Sequence, residues 1–310
     1  MLALGEVHTG LLQNSASLSK IDAAGLLDLV MGERVRASER PIDYVASPER
    51  LFGVDCTLAT ASRSHVRGVG TVATRTTMTG GHVVQGSAYA WLRPSATTHR
   101  LAWSHYLGRP GVVETIGRAE PVDLAAGFVQ PDTADRVLDL GAICARSLDD
   151  VQRSPALDRR IALRTTRTRL RWAVTGAAGE PEADAGVRFT VESPTLRTLR
   201  IEVAAGAAPA VVALCEDLAL HDWLLTTLLA MIDRNLTYGA VGPRSVQRLR
   251  PAIDHLLHLW MPAARVEATL LPVWESVERR PGFTRQWQAC VSRIRDQVTV
   301  SALALLGGER

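Results

Sequence analysis

The segment CEDLALHDWLLTTLLAMID, residues 215–233, sets Asp217, His221 and Asp222 in a run of leucines. A histidine and two carboxylates at helical spacing are the residue types of a divalent-metal site or an acid–base pair. A second segment, DHLLHLW, carries His255 and His258 three residues apart, hence on one side of a helix. Two such helices could together supply the ligands of a metal-dependent hydrolase, with Asp217, His221, Asp222, His255 and His258 as the set. The competing reading is structural. On a helical wheel Val211, Leu214, Leu218, Leu225, Leu229 and Ile232 form one apolar stripe, with Asp222 inside it and His221 at its edge. A carboxylate facing a core must be paired or protonated. Asp222 is therefore expected to pin its helix to an arginine, to the amides of a helix end, or to a histidine of DHLLHLW.

The adjacent His-Asp pair resembles that of the helical HD phosphohydrolases, whose metal set also requires a separated upstream histidine. The nearest histidine before His221 is His105, in a β-rich stretch, so the pattern departs at that ligand. Other constellations are incomplete. No G-x-S-x-G elbow marks a nucleophile. Gly68 and Gly70 make a lone G-x-G with no helix opening behind it, which does not support a dinucleotide or phosphate loop. Glu6 and His8 share one face of a strand and read as a paired polar face.

A different chemistry is carried by LRTTRTRLRWAV. Period-two alternation puts Arg167, Arg169 and Arg171 on one sheet face and Thr168, Leu170, Trp172 and Val174 on the other. With Arg164, and with Arg159 and Arg160 before it, this is the candidate surface for anions, an acidic protein partner or nucleic acid. Threonines interleave where single-strand stacking would use aromatics, so nucleic acid is the weaker partner. Glu192 and Glu202 on adjoining strands are the expected ion-pair partners.

The 310 residues are 46% apolar and 22% charged, which suits a folded chain and argues against disorder. Lys20 is the only lysine, and the net charge is only +3, so the arginine excess reads as codon bias rather than as a nucleic-acid footprint. Cys56, Cys144, Cys215 and Cys290 lie far apart with no C-x-x-C spacing, which excludes a zinc ribbon or redox motif. The start MLALGEVHTG has neither a basic region nor a cleavable apolar run, and Glu216, Asp217, His221 and Asp222 interrupt the most apolar stretch. A cytoplasmic protein without a membrane span and without a cofactor is expected.

The elements that must position these residues are legible in outline. LALGEVHTGLL reads as an opening strand, and SKIDAAGLLDLV as a short helix with Ser19 and Asp22 in a capping arrangement. Residues 56–92 read as a hairpin turning at Gly80-Gly81. DTADRVLDLGAICARSLDDVQ is helical, with Val137, Gly141, Cys144, Leu148 and Val151 in step after a cap at Asp132 or Thr133. An antiparallel meander follows to about residue 203. Helices are then expected at 208–234, 244–260, 263–279 and 284–306. The fold class is thus α+β: a β-rich domain over 1–205, then an all-α domain over 206–310. In the last helix Trp287, Val291, Ile294, Val298, Ser301 and Leu305 form a heptad-like seam, which serves internal packing or a partner helix.

GEVHTGLLQNS, HVRGVGTVATR and CEDLALHDWLLTTLL together resemble an uncharacterised family from Streptomyces and related actinobacteria. Its genes lie beside those of a variant P-loop protein and a SAM-dependent methyltransferase-like protein. The resemblance implies membership of a co-encoded multi-protein system and assigns no catalytic residue. The expected function is a non-enzymatic interaction or scaffold component that binds proteins of the same gene cluster or a second copy of itself. The metal-dependent hydrolase and the arginine-face binder stand as alternatives.

Overall fold

The computed structural model describes residues 1–62, 64–130, 137–161, 163–176, 186–203, 210–237 and 243–307. Its centre is β1 (Leu2–Leu11), every residue of which is buried. Leu2 and Leu4 face one side of the strand and Ala3, Val7 and Leu11 the other, each set joining a separate hydrophobic cluster. A strand that is apolar on both faces must be covered on both faces.

The remaining strands are β2 (Arg36–Ser38), β3 (Tyr44–Ala46), β4 (Arg50–Ala59), β5 (His65–Thr79), β6 (Val83–Pro94), β7 (Val112–Ile116), β8 (Thr168–Gly176), β9 (Val187–Val191) and β10 (Leu196–Val203). The sheet runs β2-β3-β5-β7-β6-β1-β8-β10-β9, with β4 also on β5. β5 and β6 form the expected hairpin, turning where Gly80 (φ 58°) and Gly81 (φ 65°) take left-handed backbone. Beyond Tyr89 the two strands splay and β7 enters between them, antiparallel to β5 and parallel to β6. Gly70 makes room for it, because a Cβ there would collide with the Val112 carbonyl. The lone G-x-G is thus a packing device.

The meander is not purely antiparallel. β9 takes the outer position and β10 returns between β9 and β8, so β10 runs parallel to β8 and antiparallel to β9. Alternating residues on β8 and β10 look the same in either direction, which is why the pattern did not reveal the crossover.

One sheet face is covered by α3 (Pro121–Val129) and α4 (Leu140–Gln152), after the short α1 (Lys20–Leu26) and α2 (Trp103–Leu107). The α1 cap is as expected, Ser19 accepting from the Asp22 amide. For α4 the cap is Asp139, and the positions expected to cap it, Asp132 and Thr133, lie outside the described residues. The other face is covered by α5 (Val211–Thr237), which carries α6 (Pro243–His255), α7 (Leu271–Arg279) and α8 (Phe283–Gly307). The boundary expected near 205 lies outside the described residues. One cluster nonetheless runs from Trp172, Val174, Leu199 and Ile201 of the sheet into Leu218, Trp223, Trp274 and Ile294 of the helices.

This position explains α5. Every residue from Leu214 to Leu225 is buried, because sheet and helices enclose it, so a one-stripe wheel described only part of its surroundings. The α8 seam turns inward: Trp287 and Ile294 are buried, and Val291 and Val298 pack on the same cluster. The side chain of Leu305 lies outside the described residues. Trp260 stacks on Trp287 at 4.3 Å. Among the described residues no helix is long and apolar enough to cross a membrane.

Replacing Gly70 by valine should expel β7 from its slot. Urea unfolding is expected to show a loss of about 1–3 kcal/mol or more, as overpacking against rigid backbone does.

Candidate functional site

On the α5 side of the sheet, the apolar β1-β8-β10 region gives way to a polar region at β6, β5 and β3. Register aligns it. Arg36 and Ser38 on β2 pair with Ala46 and Tyr44 on β3, which pair with Thr77 and Thr79 on β5. Arg75 lies two residues along the same face, opposite Ser87 of β6.

Glu216 of α5 descends onto this patch with its side chain fully buried. Arg75 donates to it through Nε at 2.7 Å and Nη2 at 2.8 Å, a bidentate fork, and Ser87 Oγ donates at 2.6 Å. Gln85 Nε2 donates to the Glu216 carbonyl at 2.9 Å. Burial alone would push the carboxyl up, but Arg75, Arg265 and Ser87 hold it below the usual range. Burial likewise opposes the charge on Arg75, and Glu216 more than restores it.

Arg265 arrives from the segment that follows a 3₁₀ turn at Leu257–Leu259. The Asp217 carboxylate anchors that segment by accepting from the Ala263 amide at 3.0 Å. The Arg265 guanidinium lies 4.5 Å over the Tyr44 ring, with Nη2 3.4 Å from Gln85 Oε1. Its Nε is 3.7 Å from Asp217 and its Nη1 3.9 Å from Glu216, and neither makes a hydrogen bond. Only 11% of the side chain is exposed.

Above these residues opens a cleft of about 470 Å³. Arg34, Arg36, Arg40, Arg75 and Arg265 line it, with Tyr44, Ser38, Ser47, Glu33 and Glu49. Glu49 accepts from the Tyr89 hydroxyl, whose proton burial and that hydrogen bond hold more firmly than usual. Arg34, Arg36 and Arg40 are exposed and form no ion pair among the described residues. Arg75 and Arg265 are matched by the buried Glu216 and Asp217, so the excess positive charge of the cleft comes from Arg34, Arg36 and Arg40 against Glu33 and Glu49. These exposed guanidiniums offer forked donors to an oxyanion.

The sequence-based candidates fall elsewhere. Asp217 and His221 come together, His221 Nδ1 donating to the Asp217 carbonyl at 2.7 Å. Burial lowers the pKa of His221, and its ring meets Trp260 at 4.7 Å and Trp274 at 5.5 Å. His255 does not join them: it lies edge-on to His82 at 4.6 Å, with His258 exposed on the 3₁₀ turn. Burial first, and then His255 and His258, lower the His82 pKa to about 4. Among the described residues no group of three or more histidine, cysteine, aspartate or glutamate side chains could hold a metal ion, and His255 and His258 are not brought to Asp217, His221 and Asp222. Asp222 does have a partner, Arg197 of β10, whose Nε lies 2.6 Å away in a close charge contact rather than an aligned hydrogen bond. Burial raises the Asp222 pKa against the pull of Arg197.

The arginine face is real but turned under α3 and α4. Arg171 donates to Glu6 at 3.2 Å and to the Phe128 and Gln130 carbonyls at the end of α3. Glu6 also bonds His8 at 2.9 Å, and burial is again outweighed, so its carboxyl sits below the usual range. Arg167 pairs with Asp149 of α4 at 3.6 Å. The carboxylate partners are thus Glu6 and Asp149 rather than Glu192 and Glu202, because β1 adjoins β8 in the sheet with Glu6 opposite Arg171, and α4 lies over the same face. Arg169 is half-buried on the same face, and Arg164 is exposed before β8 with its carbonyl accepting from Arg234. Sequence reasoning missed Arg34, Arg36, Arg40, Arg75 and Arg265; the visible signal was the alternation of RVRASER, but nothing local tied it to position 265.

Arg75→Ala should cost about 3–5 kcal/mol at neutral pH, because it leaves a buried carboxylate without its fork. The pKa of Glu216 is below its ordinary 4.5 in the folded protein, so its contribution is full above that value and drains as pH falls through the lower folded one. Without Arg75 the folded value rises. The gap between wild type and variant should therefore be smaller at about pH 5 than at pH 7 in urea unfolding.

Comparison with protein-family models, with curated proteins and with solved structures finds no match to this chain.

Proposed function

We propose that the protein binds a small, multiply charged oxyanion, of the phosphorylated type, in the arginine cleft, and acts as a ligand-binding component rather than as a catalyst. The observation that carries this reading is the convergence of Arg34, Arg36, Arg40, Arg75 and Arg265 on one cleft. Arg75 and Arg265 are held at its floor by the buried Glu216 and Asp217, and the three exposed arginines above them offer forked donors of the kind an oxyanion accepts from. Arg36 and Arg40 at the rim add charge that no carboxylate neutralises among the described residues. The volume suits a small molecule. The multi-protein system implied by the sequence resemblance would give such a component a place, with the ligand governing its association.

Calorimetric titration with inorganic pyrophosphate, and with citrate as a carboxylate of similar charge, tests the reading. Pyrophosphate is expected to bind, with affinity falling as salt rises. Arg36→Ala with Arg40→Ala should weaken it about tenfold without altering the unfolding curve, and Arg265→Lys should weaken it further by replacing a fork with a point charge. Citrate binding with no response to pyrophosphate would reassign the ligand to carboxylates. Absence of any binding at low salt would reject the proposal.

A further inference from the structure

The far end of the sheet presents a second feature, independent of the cleft. β9 is the last strand, and among the described residues nothing pairs with its outer edge. Two flanking bonds fix which way its backbone points: the Glu192 amide donates to the Leu196 carbonyl, and the Glu202 amide to the Gly186 carbonyl. Even-numbered residues therefore bond inward to β10, and Val187, Phe189 and Val191 direct their N–H and C=O groups outward. Such an edge is a template for another strand unless it is blocked.

Here the edge is framed by arginines instead of being blocked. On the α3 side Arg188 stands directly opposite Arg200, and neither forms an ion pair among the described residues. Like charges in direct cross-strand contact repel, so the pair is disfavoured unless an anion lies beside it. Both arginines line a hollow of about 270 Å³ that Glu202 also lines. A groove of about 730 Å³ runs between β9 and the end of α7, lined by Val187, Arg188, Phe189, Thr190, Ser276, Arg279 and Arg280. Val191 is 58% exposed.

We infer that β9 receives an extended acidic segment of a partner protein by strand addition. The segment would place acidic side chains beside Arg188 and Arg200, and apolar ones over Phe189, in alternation. A peptide fits better than a nucleic acid, because the edge offers donors and acceptors in turn, whereas a phosphate backbone would satisfy only the donors.

The test uses a fluorescein-labelled peptide of about eight residues, alternating glutamate and valine, in anisotropy titrations with the full chain. Saturable binding is expected. Val191→Pro removes one outward N–H and leaves the β10 ladder intact, as proline on an edge strand does, and should weaken binding at least about tenfold. Val191→Ala should bind as wild type does. Arg188→Glu should weaken binding to a similar degree, and a lysine–valine peptide should not bind. Thermal melts by circular dichroism keep loss of fold distinct from loss of edge. Peptide binding that Val191→Pro leaves unchanged would overturn the inference, as would its complete absence. So would single-stranded oligonucleotide binding that depends on Arg188 but not on the Val191 amide. A concentration-dependent dimer abolished by Val191→Pro would show that a second copy takes the edge, and would equally overturn the acidic-partner reading.

Discussion

The carboxylate of Glu216 is the constraint around which one half of the molecule is arranged. It sits fully buried on a helix that is itself enclosed, and an isolated charge there would be prohibitively costly. The Arg75 fork, the Ser87 hydroxyl and the nearby Arg265 answer that demand from three separate parts of the chain. Two of those parts are strands, which fixes the height of α5 over the β5–β6 hairpin. The third is the segment beyond α6, and its attachment through Ala263 to Asp217 brings Arg265 over Tyr44. The electropositive cleft follows from this arrangement: the buried carboxylates hold Arg75 and Arg265 at its floor, and the exposed Arg34, Arg36 and Arg40 line it above them.

The same logic recurs elsewhere on a smaller scale. Glu6, Arg171 and His8 lie beneath α3 and α4, with Arg171 also satisfying carbonyls at the end of α3, where a cation is favoured. Asp222 and Arg197 join α5 to β10. Each apolar layer thus contains a charged contact at a defined position. Buried pairs of this kind add little net stability, but a shift in helix placement would separate them, and that makes them determinants of register.

Much of the fold could be read locally. The opening strand, the Gly80-Gly81 hairpin, the Ser19 cap and the long helices are all written in periodicities of two or 3.6 and in turn residues. The need of Asp222 for a partner was also legible, since it follows from one residue's place on a wheel. The identity of that partner was not. With 34 arginines in the chain, nothing in the sequence distinguishes Arg197 from the others. Arg171 and Arg167 were read correctly as one face, yet their alternation is identical for a solvated face and for one lying under helices.

What the sequence determined by itself was the opening strand, the β5–β6 hairpin, α4 and the long helices after the sheet, with their apolar faces and the existence of buried charges needing compensation; β2, β3, β7, α2 and α3 were not read from it. Only the tertiary structure decided how those charges pair, that β10 inserts parallel to β8, that the α8 seam faces inward and that residues 34–40, 75 and 265 share a cleft. The physical reason is one of range. Helix and strand patterns reflect the repeat of a few neighbouring residues, whereas ion pairs and clefts depend on which distant segments the hydrophobic layers bring together.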